Sequence, residues 1–292
     1  MVVKVVLLLV ALAGCFAIPA PEPDQSSFFE HVNHEARIVG GSQALEGGHP
    51  HMVALSSGVL VRSFLCGGSL ITSRSVLTAA HCIEAVFSWG ALSTSLRGTV
   101  GTNRWNQGGA SYAFERNVTH QNYVSSTIKN DIGLLITTSN VLLSSTVNVL
   151  PLNFNQVGGG VVARAAGWGR IRQGGALSTQ LLQLDVSTLD GETCVRDVAQ
   201  AAIDFNIRNV PPVEPHIEIC TTHSVNHGMC NGDSGSALVH QDQGGQIGIV
   251  SWGIPCARGA PDMFVRVSAY QTWILANATL LDLQRKLHTI NL

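Results

Sequence analysis

The chain has 292 residues, 45% of them hydrophobic, with 17 Lys plus Arg against 19 Asp plus Glu. A formal net charge of −2 without any basic run argues against nucleic acid as a partner. No apolar stretch is long enough to cross a bilayer as a helix, so no membrane partner is expected.

The chain opens with Lys4, an apolar run over residues 5–13 and small residues around 15–17. A basic start, a short apolar core and a small-residue exit predict a secretory signal peptide, residues 1–17, cut after Ala17. A secreted, extracellular protein is therefore expected, with a digestive lumen as one setting. Cys15 leaves with the signal, and Cys66, Cys82, Cys194, Cys220, Cys230 and Cys256 remain. An even count in an oxidising compartment predicts three disulfides, among fifteen possible connectivities. Zinc is the rival reading, but paired CxxC and HExxH spacings are absent, so no metal or other cofactor is expected. Beyond Ala17 the only lysines are Lys129 and Lys286, while arginines are many. Arginine stays protonated where lysine titrates, which fits an alkaline working medium.

Residues 18–37 are rich in proline, acid and polar groups and have little to bury. They end at Arg37-Ile38-Val39-Gly40-Gly41, where a cut after Arg37 would leave Ile38 as a new N-terminus. The remaining residues could form one large domain or two barrels sharing an interface. Short apolar or alternating runs follow at 51–55, 69–71, 75–78, 132–136, 161–166 and 246–251. Such spacing predicts an all-β barrel or sandwich. Two stretches read as helices: residues 192–204, and residues 268–287 with Ser268 as a cap. The polar stretch 138–151 is the expected link between two halves.

Three stretches carry chemistry. Cys230-Asn-Gly-Asp-Ser-Gly-Ser236 presents a serine between glycines, where backbone can approach a substrate closely. Thr78-Ala-Ala-His-Cys82 places a histidine after a strand, and Asn130-Asp-Ile-Gly-Leu-Leu135 places a carboxylate at the mouth of another. A hydroxyl becomes a nucleophile when a base takes its proton and a third group orients that base. Taken singly, each stretch has a plainer reading as a surface turn, a lone interior histidine or a strand-entry cap.

Together with Arg37-Ile-Val-Gly-Gly41 and Ser251-Trp-Gly253, and in this order, they make the chain resemble the chymotrypsin-like serine proteases over most of its length. It is closest in look to arthropod digestive chymotrypsin-like and crustacean collagenolytic members. The resemblance implies an all-β fold of two six-stranded antiparallel Greek-key barrels with a C-terminal helix. It divides the protease domain, residues 38–292, into barrels of about 38–145 and 146–292, after an activation propeptide of residues 18–37. It implies Ser234 as nucleophile, His81 as general base and acid, Asp131 as the group orienting His81, and the N–H groups of Gly232 and Ser234 as oxyanion hole. Its disulfide scheme is Cys66–Cys82, Cys194–Cys220 and Cys230–Cys256. Ser251, Trp252 and Gly253 would pair with substrate backbone as an added strand. Asp233 would hold the new amino group of Ile38 after a trypsin-like cut at Arg37. Protein or peptide substrates, an activating protease and protease inhibitors are the implied partners of a monomer.

Gly228 falls at the base of the implied specificity pocket, which with Gly253 at its wall predicts a preference for large apolar residues. Asp262 falls near the pocket floor, as in relatives that also accept Arg and Lys; its plainer reading is a turn residue after Pro261. A catalytically silent homologue acting as a cofactor is the alternative from another class. The chain departs from the family at Ser236 and Ala237, where Gly and Pro are usual. Residues 83–109 hold Glu84 as their only acid, which argues against a calcium loop. Asn117 and Asn277 begin glycosylation acceptor patterns.

Overall fold

Strands form where β-branched and alternating runs lie between turn residues. The structure, a computed structural model, describes residues 38–254 and 256–278. The predicted signal peptide, the propeptide with Arg37, and the residues after 278 lie outside the described residues. In the first half the order is β1 (Ser42–Gln43), β2 (Met52–Ser57), β3 (Ser63–Leu70), β4 (Ser75–Thr78) and α1 (Ala80–Glu84). Then come β5 (Phe87–Ser88), β6 (Ala91–Leu92), β7 (Arg97–Val100), β8 (Ala110–Thr119) and β9 (Gly133–Thr137). Strands β2-β3-β4-β9-β8-β7 close an antiparallel barrel.

The second half runs β10 (Val162–Gly167), β11 (Leu182–Thr188), α2 (Gly191–Asp204), β12 (Glu218–Thr222), β13 (Ala237–His240), β14 (Gln246–Gly253), β15 (Asp262–Arg266) and α3 (Gln271–Asn277). Its order is β11-β10-β13-β14-β15-β12, and β12 returns to β11, closing a second six-stranded antiparallel ring. β1 adds to the start of β11. The two-barrel expectation holds. In β11 the pleat is visible in the burial: Leu182, Leu184 and Val186 point inward and Asp185 and Ser187 outward. The crossover between barrels begins after Thr137 and includes the predicted link, pinned to the first barrel by Asn148 N–H to Pro50 O and Leu150 N–H to Leu70 O.

The helix predicted over 192–204 is α2, capped by Asp190, whose side chain accepts the Thr193 N–H at 2.9 Å. The helix predicted over 268–287 needs correction in its described part. A 3₁₀ turn, Val267–Tyr270, contains Ser268, and α3 starts after Tyr270 without a side-chain cap. Val267 and Tyr270 are buried, so packing sets this turn and no polar cap is needed. The three disulfides join the pairs implied by the resemblance. Cys66–Cys82 thereby ties β3 to α1, Cys194–Cys220 ties α2 to β12, and Cys230–Cys256 anchors the loop before Ser234.

The barrels touch where β3 meets the Ser234 loop. Gly67 donates its N–H to Ser234 O at 2.8 Å, and Thr78 Oγ1 donates to Gly67 O at 2.9 Å. Ser236 is fully buried against Gly67, and its hydroxyl has no hydrogen-bond partner. A Cβ on Gly67 would stand 2.1 Å from Ser236 Oγ. The side chain that replaces the family's usual glycine therefore fits only because its neighbour has none. Gly67→Ala is expected to cost ~1–3 kcal/mol through overpacking. Adding Ser236→Gly should recover most of that loss, and Ser236→Ala alone should stabilise by about 1 kcal/mol, since an unpaired buried hydroxyl is removed. Urea denaturation of the double-mutant cycle checks this; strictly additive effects would rule out the contact.

Candidate active site

Helix α1 carries His81 and begins two residues after the end of β4, and the disulfide at Cys82 fixes the backbone on which the imidazole stands. Asp131 lies two residues before β9, in a loop where Ile128 and Asn130 take left-handed backbone angles of +51° and +54°. Asn130 is held on both sides of its amide: Nδ2 donates to Asn122 O, and Oδ1 accepts the Tyr270 hydroxyl at 3.0 Å. The strand pairing β4–β9 sets Thr78 opposite Gly133 and so brings the two catalytic candidates together.

The contact between them is direct. His81 Nδ1 lies 2.8 Å from Asp131 Oδ2, and the His81 backbone N–H donates to Asp131 Oδ1 at 2.9 Å. Ser251 Oγ, from β14 of the other barrel, donates to Asp131 Oδ2 at 2.6 Å. Asp131 is 1% exposed. Burial alone would push its carboxyl up, but the His81 charge and these three donors outweigh it and hold the pKa below the ordinary value. For His81 burial opposes the charged form, and the Asp131 carboxylate overcomes it, so the pKa is raised. The Nδ1 donor role leaves Nε2 as the ring's proton-accepting atom.

Ser234 sits in the tight loop between Cys230 and β13. Gly232 has φ +98°, and a Cβ there would lie 2.7 Å from Leu177 and 3.1 Å from the Gly169 backbone, so glycine is required. Among the described residues the N–H groups of Gly232 and Ser234 make no hydrogen bond, whereas Asp233 N–H bonds Cys230 O and Gly235 N–H bonds Val250 O. A Cβ on Gly235 would stand 2.2 Å from Thr78 Oγ1 and 3.3 Å from Ala79 N, which places the serine turn against the residues leading into His81. The Ser234 hydroxyl is not hydrogen-bonded to His81 in this arrangement. Bonds of this kind are often long before substrate binds.

Two further carboxyls are buried nearby. Asp233 takes N–H bonds from Gly169 at 2.8 Å and Cys230 at 3.0 Å, yet burial pushes its pKa up to about 7. Ile38 is buried in the core of the second barrel, and the next residue, Val39, exchanges backbone hydrogen bonds with Gly228. Asp262 is not in a turn: it begins β15, opposite Gly253 on β14. Its Oδ2 accepts the Met229 N–H at 2.8 Å, and a Cβ on Gly228 would stand 2.8 Å from the same oxygen. Gly228, Gly253 and Asp262 are therefore brought together. Burial pushes Asp262 up to about 7; the Met229 bond opposes this and the Asp233 charge adds to it.

Ser251, Trp252 and Gly253 end β14, where β13 no longer pairs: its ladder stops at Ala237 opposite Ile249. On that side these residues have no strand partner, which leaves an edge for an extended peptide. Sequence reasoning missed the Ser251 hydroxyl as a donor to Asp131, because the Ser-Trp-Gly stretch suggested only a backbone role. It also missed the Gly169 N–H that holds Asp233, for which no sequence signal exists. Arg37 lies outside the described residues.

The arrangement couples an oriented imidazole, an adjacent serine and two free N–H donors, which is the equipment of acyl transfer. Comparison with known proteins agrees. Residues 38–274 match the family model described as Trypsin. The chain is 31% identical over 280 residues to trypsin alpha-4 of Lucilia cuprina, covering 94% of this chain and 98% of that protein. It is 34% identical over 241 residues to chymotrypsin-2 of Vespa crabro, covering 82% and 99%. It is also 34% identical over 250 residues to alkaline trypsin B of Manduca sexta, covering 83% and 91%. The chain thus belongs to the trypsin family and is a serine endopeptidase of the chymotrypsin-like fold.

Proposed function

We propose that the chain is a secreted zymogen, cut after Arg37 by a trypsin-like protease, that hydrolyses peptide bonds as a monomer through an acyl-enzyme on Ser234. The observation that carries this reading is the His81–Asp131 pair, 2.8 Å apart with its carboxylate buried, packed beside the Ser234 turn. In the mechanism worked out for this family, Ser234 Oγ attacks the scissile carbonyl while His81 Nε2 takes its proton and then delivers it to the leaving amine. Asp131 keeps the imidazole tautomer and stabilises the imidazolium. The N–H groups of Gly232 and Ser234 receive the developing oxyanion, each donor being worth ~3 kcal/mol in the transition state. Water, deprotonated by His81, then releases the acyl group. An organophosphate should label Ser234 in the Arg37-cut protein, and Ser234→Ala should abolish both labelling and peptidase activity. A cut protein that stays unlabelled would sink the reading.

Activation has an electrostatic rationale. After the cut, the Ile38 ammonium would pair with Asp233 inside the fold. Among the described residues Asp233 has only backbone donors, and its raised pKa makes its stability contribution largest in acid and lost as pH rises toward about 7. In the cut chain the ammonium reverses that sign for Asp233. The amine's own pKa is raised above its reference of about 8, and its contribution is lost as pH rises through that folded value. The melting temperature of the cut form should therefore pull ahead of the uncut form between about pH 4 and pH 8, and the lead should shrink at higher pH. A pH-independent gap would exclude this coupling.

For specificity, the uncharged Gly228 supports a chymotrypsin-like preference for large apolar residues before the cut. A second reading is favoured by one observation, the Asp262 carboxyl beside Gly228, which would also admit Arg and Lys. With a pKa near 7 that carboxyl is neutral in acid and anionic in alkali. The kcat/KM for an Arg substrate relative to a Leu substrate should then rise at least about tenfold from pH 6 to pH 8.5. Asp262→Asn should flatten the ratio. An Arg preference that is absent, or that survives the substitution, removes Asp262 from specificity.

A further inference from the structure

Lys129 stands two residues before Asp131 and is the only lysine among the described residues. Its side chain and that of Glu218, at the start of β12, are each 5% exposed, with Nζ 2.6 Å from Glu218 Oε1. The same oxygen accepts the Trp252 indole N–H at 2.8 Å, and Lys129 Nζ lies 5.0 Å from the indole centroid. Glu218 Oε2 accepts the backbone N–H of Glu214 at 2.7 Å. Ser251, the neighbour of Trp252, closes the loop by donating to Asp131. A continuous circuit therefore runs from Asp131 through Asn130 to Lys129, then Glu218, Trp252, Ser251 and back.

Burying an ion pair costs desolvation that its attraction often only repays, so such a pair is a weak source of stability and a better source of fixed geometry. Here Glu218 Oε1 is shared between the Lys129 ammonium and the Trp252 indole, and Lys129 itself stands on the loop that carries the Asp131 carboxylate. We propose that Lys129 and Glu218 are positioning residues, which lock the Trp252 indole and so hold the free edge of β14 in register with Asp131. A peptide paired to that edge lays the residues preceding the scissile one along it, about 3.3 Å apart. A substrate with no such residues does not use it. The inference rests on Ser251, Trp252 and Gly253 being the edge that pairs with substrate.

The test uses the Arg37-cut enzyme and two substrates with the same residue before the cut, a single-residue ester and a tetrapeptide anilide. Variants are Glu218→Gln, and Lys129→Met with Glu218→Met, an apolar pair that avoids leaving one buried charge alone. The expected result is a roughly tenfold fall in the peptide-to-ester ratio of kcat/KM, borne by the peptide KM more than by kcat. The apolar double variant should melt close to wild type. A folded double variant with an unaltered ratio overturns the proposal, as does an equal loss on both substrates. Should the double variant not fold, the near-isosteric Glu218→Gln decides by the same ratio. Wild type that cleaves neither substrate would instead refute the assigned activity.

Discussion

Asp131 carries charge at a place that water scarcely reaches, and three donors hold it there. Two come from His81 on α1, in the first barrel, and the third from Ser251 on β14, in the second. Removing one partner from a buried charge typically costs several kcal/mol. Neither barrel can satisfy this carboxylate alone, so the relative placement of the barrels and the tautomer of His81 are fixed together. Tyr270, from the turn before α3, adds a hydroxyl bond to the adjacent Asn130 and brings the end of the described chain to bear on the same loop.

The other two carboxyls of the site live under a different rule. Asp233 and Asp262 are buried too, but among the described residues they are met by backbone N–H donors and by no cation. Both are pushed up to about 7, and the charge of Asp233 contributes to the rise at Asp262. One carboxylate is thus held ionised while two stand near the balance point between charged and neutral. Any change in charge at Asp233 is therefore felt at Asp262.

What was legible in the sequence was what short-range chemistry writes. The runs at 75–78 and 246–251 became strands because β-branched residues sit between turn formers, and residues 192–204 became α2 because apolar positions recur on one face. The motif order singled out His81, Asp131 and Ser234 as candidates. The start of α3 was misread because packing of Val267 and Tyr270, set by distant residues, overrode the local capping signal of Ser268. Ser236 was unreadable for a related reason. Its tolerance depends on the missing side chain of Gly67, 169 positions away in sequence and in contact only after both barrels have formed. Lys129 did leave a trace, as the one lysine in the body of the chain, but its partner Glu218 lies in another barrel.

The burial of Lys129 also sets the chemistry of the molecular surface. Among the described residues no lysine amine faces solvent, and the exposed cations are guanidinium groups such as Arg196. Acylating, glycating or cross-linking reagents that seek primary amines therefore find no lysine target on this part of the molecule. Attachment to a carrier through exposed carboxylates or imidazoles would leave the buried ion pair beside the Asp131 loop untouched.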